Sequence, residues 1–109
     1  MSLPLQLLLI DDDEVDRQAV TRALRQSPVV CQITQAATAT EGLRLAAEQH
    51  FDAILLDYRL PDHDGLDVLH ILRGGSFEGV AVVMLSRQED ETLAERCLEA
   101  GAQDFLLKD

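Results

Sequence analysis

Five short apolar runs, separated by four segments with helical periodicity, constrain what this chain can fold into more than any other feature. The runs cover residues 5–10, 29–36, 53–56, 80–85 and 104–107. Four of them are too short and too continuously apolar for amphipathic helices, which marks them as strands; 29–36 mixes β-branched residues with Gln and Thr and reads as a half-exposed strand near an edge. Strands that alternate with helices pair in parallel through right-handed crossovers, giving a three-layer α/β domain. A chain of 109 residues, 47% of them hydrophobic, builds one such domain.

The intervening segments carry helix start and stop signals. Asp13 stands at the N-cap of a helix over residues 14–26, with Asp16 three positions on and Val15, Ala19, Ala23 and Leu24 as its apolar stripe. Thr38 and Glu41 have capping-box spacing for a helix reaching about Gln49. A short helix with Leu66, Leu69 and Leu72 inward ends at the breaker Gly74, Gly75, Ser76. The fourth, over about 91–100, turns Leu93, Ala94, Cys97 and Leu98 inward and stops at Gly101. Cys31 and Cys97 lack metal-type spacing and read as reduced core thiols.

Parallel strands all end on one rim of the sheet, where α/β proteins bind ligands. That rim gathers residues from the whole chain: Asp11 and Asp12 after the first strand, Asp57 after the third, Ser86 after the fourth and Lys108 after the fifth. Crowded carboxylates require a cation, and a hard divalent ion with oxygen ligands, Mg2+ or Mn2+, suits them. A carboxylate nucleophile, a metal, an ammonium and a hydroxyl together form a site for receiving a phosphoryl group. Each residue also has a plainer reading. Asp57 could start the turn built on Pro61, Asp62, Asp64 and Gly65; Ser86 with Glu89 could cap the next helix; Lys108 could be a surface lysine. Their common placement at separate strand ends favours the site.

The net charge of −11 repels phosphate backbones and anionic membranes, and no apolar run approaches the length of a membrane span. A cytoplasmic protein without direct nucleic-acid or membrane binding is expected.

On these residues, together with Leu60, Pro61, Asp64 and Gly65 behind Asp57, the chain resembles the receiver domain of two-component response regulators from Leu5 to Lys108. The resemblance implies a flavodoxin-like fold with a parallel sheet of order 2-1-3-4-5, and a bacterial signalling switch rather than a turnover enzyme. Asp57 would accept a phosphoryl group from the phosphohistidine of a sensor histidine kinase or phosphotransfer protein. Asp11, Asp12, Asp57 and the Arg59 carbonyl would hold Mg2+ or Mn2+, while Ser86 and Lys108 contact the phosphoryl oxygens. Ser86 and Phe105 would relay the change to a downstream effector or to a phosphorylation-linked homodimer. Tyr58, Arg59 and Gln88 occupy the neighbourhood that tunes phosphate lifetime in receivers.

Two features depart from the family. Receivers carry a fifth helix after the lysine, so residues 1–109 are expected to be a single receiver domain with that helix truncated. Apolar side chains of residues 5–10 and 105–107 would then lose cover. Asp109 also replaces the proline that usually follows the lysine, and a trans Lys108–Asp109 bond is expected. Two other classes compete. Residues 10–15 fit the hhDxDxV pattern of haloacid-dehalogenase-like phosphatases, with Asp11 as nucleophile and Asp13 as acid. A phosphate-independent binding module of the same fold would need an incomplete site, and every site residue is present.

Overall fold

The computed structural model describes residues 3–75 and 79–108; Ser76 and Asp109, invoked above, lie outside them. Five strands, β1 (Leu5–Ile10), β2 (Cys31–Ala36), β3 (Ala53–Asp57), β4 (Ala81–Ser86) and β5 (Asp104–Leu107), alternate with four helices, α1 (Glu14–Arg25), α2 (Ala39–Glu48), α3 (Gly65–Arg73) and α4 (Glu91–Glu99). The sheet is parallel throughout, in the order β2-β1-β3-β4-β5. This is the flavodoxin-like order that the resemblance implies.

Helix starts follow the sequence signals in two cases, Asp13 and Thr38, while Asp64, expected only as a turn residue, caps α3. Asp13 accepts from the backbone N–H groups of Val15 and Asp16, Thr38 from that of Glu41, and Asp64 from that of Asp67. The fourth start differs: Asp90, not Ser86, caps α4, accepting from Leu93 N–H. That leaves the Ser86 hydroxyl at the strand end. Gly101 closes α4 at φ 107°, a conformation that a Cβ disfavours.

Register explains the core. Leu8, Ile54 and Val82 align across the sheet, as do Ile10, Leu56, Met84 and Phe105. All but Phe105 are essentially fully buried, beneath Leu66, Val68, Leu69 and Leu72 of α3 and Leu93 and Cys97 of α4. Each contributes roughly 1.5–3 kcal/mol by leaving water. α2 lies so close to β1 that a Cβ on Gly42 would collide with Ile10 Cδ1.

The opposite face is thinner. Only the β1-to-β2 connection runs the other way along the sheet, so among the described helices right-handed crossovers put α1 alone on that side. Leu7 and Leu9 are buried there, contrary to the expectation that β1 loses cover. The deficit falls further along the sheet, where Ala53, Leu55, Ala81 and Val83 are half-buried and Leu106 is 47% exposed. Helix α1 itself corrects the expected stripe. Val15 is 72% exposed and Ala19 and Ala23 face solvent, whereas Asp16 and Thr21 are buried and Val20 and Leu24 half-buried. Leu98 of α4 is likewise exposed, and of the two thiols Cys97 alone is buried, Cys31 being half-buried at the β2 edge. No helix among the described residues is long and apolar enough to cross a membrane.

Candidate functional site

The carboxyl ends of β1, β3, β4 and β5 converge as the parallel topology requires. One carboxylate oxygen each from Asp11, Asp12 and Asp57 lie within 4.8 Å of one another. Asp11 is fully buried and Asp57 nearly so, while Asp12 is exposed. Three hard oxygen donors on a water-accessible rim fit a divalent ion that keeps several waters, Mg2+ or Mn2+, and do not resemble a soft-metal site.

Lys108 reaches into the cluster from the end of β5. Its backbone N–H donates to Ser86 O at 2.7 Å, which fixes the start of the side chain. Its Nζ lies 3.0 Å from Asp11 Oδ2, 3.0 Å from Asp16 Oδ2 and 3.1 Å from Asp57 Oδ1. Burial works against the ammonium, but the hydrogen bonds to Asp11 and Asp16 and the charge of Asp57 outweigh it and raise the Lys108 pKa. One ammonium shared three ways does not repay Asp57 for leaving water. Burial first, then repulsion from Asp11, push its pKa from 3.8 to about 6, despite Lys108 and the Arg59 N–H.

The loop after β3 is held from several sides. Arg59 and Asp64 form an antiparallel bridge. Asp62 accepts from the N–H groups of Ala39 and Thr40, both at 2.9 Å, and from Thr40 Oγ1 at 2.6 Å, tying the Asp57 loop to the start of α2. The Thr40 hydroxyl and amide and the Ala39 amide hold the Asp62 carboxyl well below its usual range. A Cβ on Gly65 would come within 2.8 Å of Tyr58 Cα and 3.0 Å of Asp57 O, so only glycine lets α3 start this close to the strand end.

A cleft of about 370 Å³ opens over Asp57, lined also by Asp12, Ser86, Arg87, Gln88 and Lys108. Ser86 is buried, and its Oγ accepts from Gln88 N–H at 3.1 Å. Arg59 also lines the cleft and donates to Gln88 Oε1 at 3.4 Å. Phe105 stands apart, half-buried against the core.

Two site groups were not singled out from sequence. Asp16 turns into the cluster, pairing with Lys108 and with Arg87, which also approaches Asp13 Oδ2 at 3.7 Å. Burial opposes its charge, but Lys108 and Arg87 prevail and lower its pKa. The spacing of Asp16 one turn beyond the Asp13 cap was the available signal. The phosphatase reading loses ground on the same geometry, since Asp13 is committed to capping α1 and Asp11 is sealed beneath Lys108.

A family model described as the response regulator receiver domain matches residues 7–109. Two-component response regulator ARR6 of Arabidopsis thaliana is 36% identical over 96% of the chain, which spans 62% of that protein. Among solved structures, a putative response regulator from Chloroflexus aurantiacus J-10-fl superposes with a TM-score of 0.90 at 29% identity, covering 97% of this chain and 86% of that one. The Mn2+-bound form of response regulator Rcp1 shares the fold at 23% identity, with a TM-score of 0.88 over 97% of this chain and 82% of that one.

Proposed function

The chain belongs to the response regulator receiver domain family, and from that premise we propose that Asp57 is the phosphoacceptor of a phosphorylation-dependent signalling switch. The observation that carries this reading is the position of the Lys108 ammonium, 3.1 Å from an Asp57 carboxylate that also lies within 4.8 Å of Asp11 and Asp12. One Asp57 oxygen attacks phosphorus as the bond from phosphorus to the donor's leaving atom breaks. The leaving group departs with that electron pair, and a phosphohistidine nitrogen then takes a proton from solvent. Lys108 and Ser86 face the cleft where the transferred oxygens would lie, and stabilise charge there rather than perform covalent chemistry.

Asp11, Asp12 and Asp57 would hold Mg2+ or Mn2+ with the Arg59 carbonyl, and Rcp1, which shares the fold, has a Mn2+-bound form. When bound, the ion neutralises charge on the phosphoryl oxygens. Asp12→Ala is expected to lose most divalent affinity in a calorimetric titration, because Asp12 is the water-facing member of the three. Unchanged affinity would reduce the acids to a solvated cluster.

The Ser86 hydroxyl, whose hydrogen bonds among the described residues stay within its own loop, is the group free to turn toward a phosphoryl oxygen, with Phe105 following. The dianion supplies the differential contact such a shift needs. The donor would be a sensor histidine kinase or phosphotransfer protein in the cytoplasm, and the recipient of the signal an effector domain, a protein partner or a second phosphorylated copy. The half-exposed face around Leu55, Val83 and Leu106 is where a further helix of the same domain would pack. Incubation with acetyl phosphate and Mg2+, followed by borohydride trapping, should label Asp57 alone. Beryllofluoride should shift amides from Ser86 through Leu107. Label on Asp11 would transfer the case to the phosphatase reading, and shifts confined to the Asp57 loop would remove the switch.

A further inference from the structure

Asp16 and Arg87 belong to the cluster yet have no part in the chemistry above. Resting on the Asp57 reading, we propose that Arg87 is a positioning residue that frees Lys108 for the phosphoryl group by holding Asp16 in its place. Three N–H donors of the Lys108 ammonium face three carboxylates, Asp11, Asp16 and Asp57, within 3.1 Å. A phosphoryl group arriving on Asp57 must draw on the same ammonium, so one carboxylate has to give up its share.

Asp16 is the one equipped to do so. Its Oδ2 faces Lys108, while its Oδ1 is held by Arg87 Nη2. Among the described residues the Asp11 carboxylate pairs with Lys108 alone and otherwise accepts from the Asp13 N–H at 3.0 Å, Arg17 reaching only its backbone carbonyl. With its side chain 11% exposed, Asp16 without Arg87 would be a nearly buried carboxylate dependent on Lys108 alone. Releasing Lys108 would then strand a buried charge, the costly way to break such a pair. With Arg87 present, Asp16 stays paired through the handover. Arg87 directly follows Ser86, and its half-exposed chain has the length to keep this contact while the Ser86 loop moves. The guanidinium therefore acts through Asp16 and Lys108, not on phosphorus.

The test is a double-mutant cycle on the rate of acyl-phosphate formation from acetyl phosphate with Mg2+, using the 109-residue protein. Arg87→Ala, a change at an exposed position, should slow labelling by about tenfold, while Arg87→Lys stays near the parent rate. Asp16→Asn alone should not slow it, and Asp16→Asn with Arg87→Ala should recover to within about twofold of Asp16→Asn. Thermal melts of the four proteins separate a merely structural Arg87, whose loss would lower melting temperature and rate together, from positioning, in which Arg87→Ala is slow while still folded at the assay temperature. An Arg87→Ala rate equal to the parent's, or a double variant as slow as Arg87→Ala, overturns the inference while labelled parent protein leaves the Asp57 reading intact. A parent that takes no label overturns both.

Discussion

Asp57→Asn is expected to abolish acyl-phosphate formation and yet to melt above the parent at pH 7 in metal-free buffer. Asp57 is only 4% exposed, and burial and Asp11 together raise its pKa from 3.8 to about 6. Below about pH 4 both the folded and unfolded chains carry it protonated, and its contribution to stability is fully present. As pH rises through 6 the folded state must ionise a carboxyl that the unfolded state ionises more readily. That contribution is lost, with a penalty on the order of 3 kcal/mol for a shift of this size. Asparagine cannot ionise and escapes the penalty. The gap in melting temperature should therefore be near zero at pH 3.5, open between pH 4 and 6, stay open above, and narrow when Mg2+ is added to the parent. Thermal melts across that range decide the matter. Equal melts at pH 7 without metal, or a gap that widens on acidification, would show that the cluster places no strain on Asp57.

The same electrostatics explains why the rim was legible and parts of it were not. Short apolar runs and the rule that parallel strands share a carboxyl edge suffice to bring Asp11, Asp12, Asp57, Ser86 and Lys108 together. The contacts of Asp16 and Asp62 were invisible because a local role already accounted for each, helix capping and a turn, and Arg87 stands beside Ser86 with no pattern of its own. Only the three-dimensional contacts show Asp16 bridging two cations and Asp62 tying the β3 loop to α2. Helix α1 was misread for a related reason. Val15, Ala19 and Ala23 form a good apolar stripe by spacing, but the draw of Lys108 and Arg87 on Asp16 turns another face inward, carrying Val20, Thr21 and Leu24. Hydrophobic periodicity cannot register a helix oriented at one end by a buried ion pair. Nor could it locate the thin cover of the sheet, which falls on Leu55, Val83 and Leu106 because α1 already shields Leu7 and Leu9.

Lys108→Ala is expected to be the most damaging single substitution at the rim. Its side chain is 8% exposed and touches carboxylates whose side chains are 0%, 11% and 6% exposed, Asp11, Asp16 and Asp57. Among the described residues, truncation leaves Arg87 on Asp16 as the remaining cation paired with any of the three carboxylates. Removing one partner of a buried ionic network costs roughly 3–5 kcal/mol, since the orphaned charges stay behind. Against a total stability of roughly 5–15 kcal/mol, that leaves a domain close to unfolding at neutral pH. The loss should be conditional. Lys108 holds down the pKa of Asp57 and Asp16, so without the ammonium these two bind protons more readily when folded; stability should return as pH falls from 7 toward 5, and Mg2+ should substitute in part at pH 7. Lys108→Arg retains the charge and should fall between alanine and the parent. Urea titrations at pH 7 and pH 5, each with and without Mg2+, separate these effects. If Lys108→Ala unfolds at the parent's urea midpoint at pH 7 without metal, the lysine is a solvated side chain and the carboxylates hold themselves apart without it.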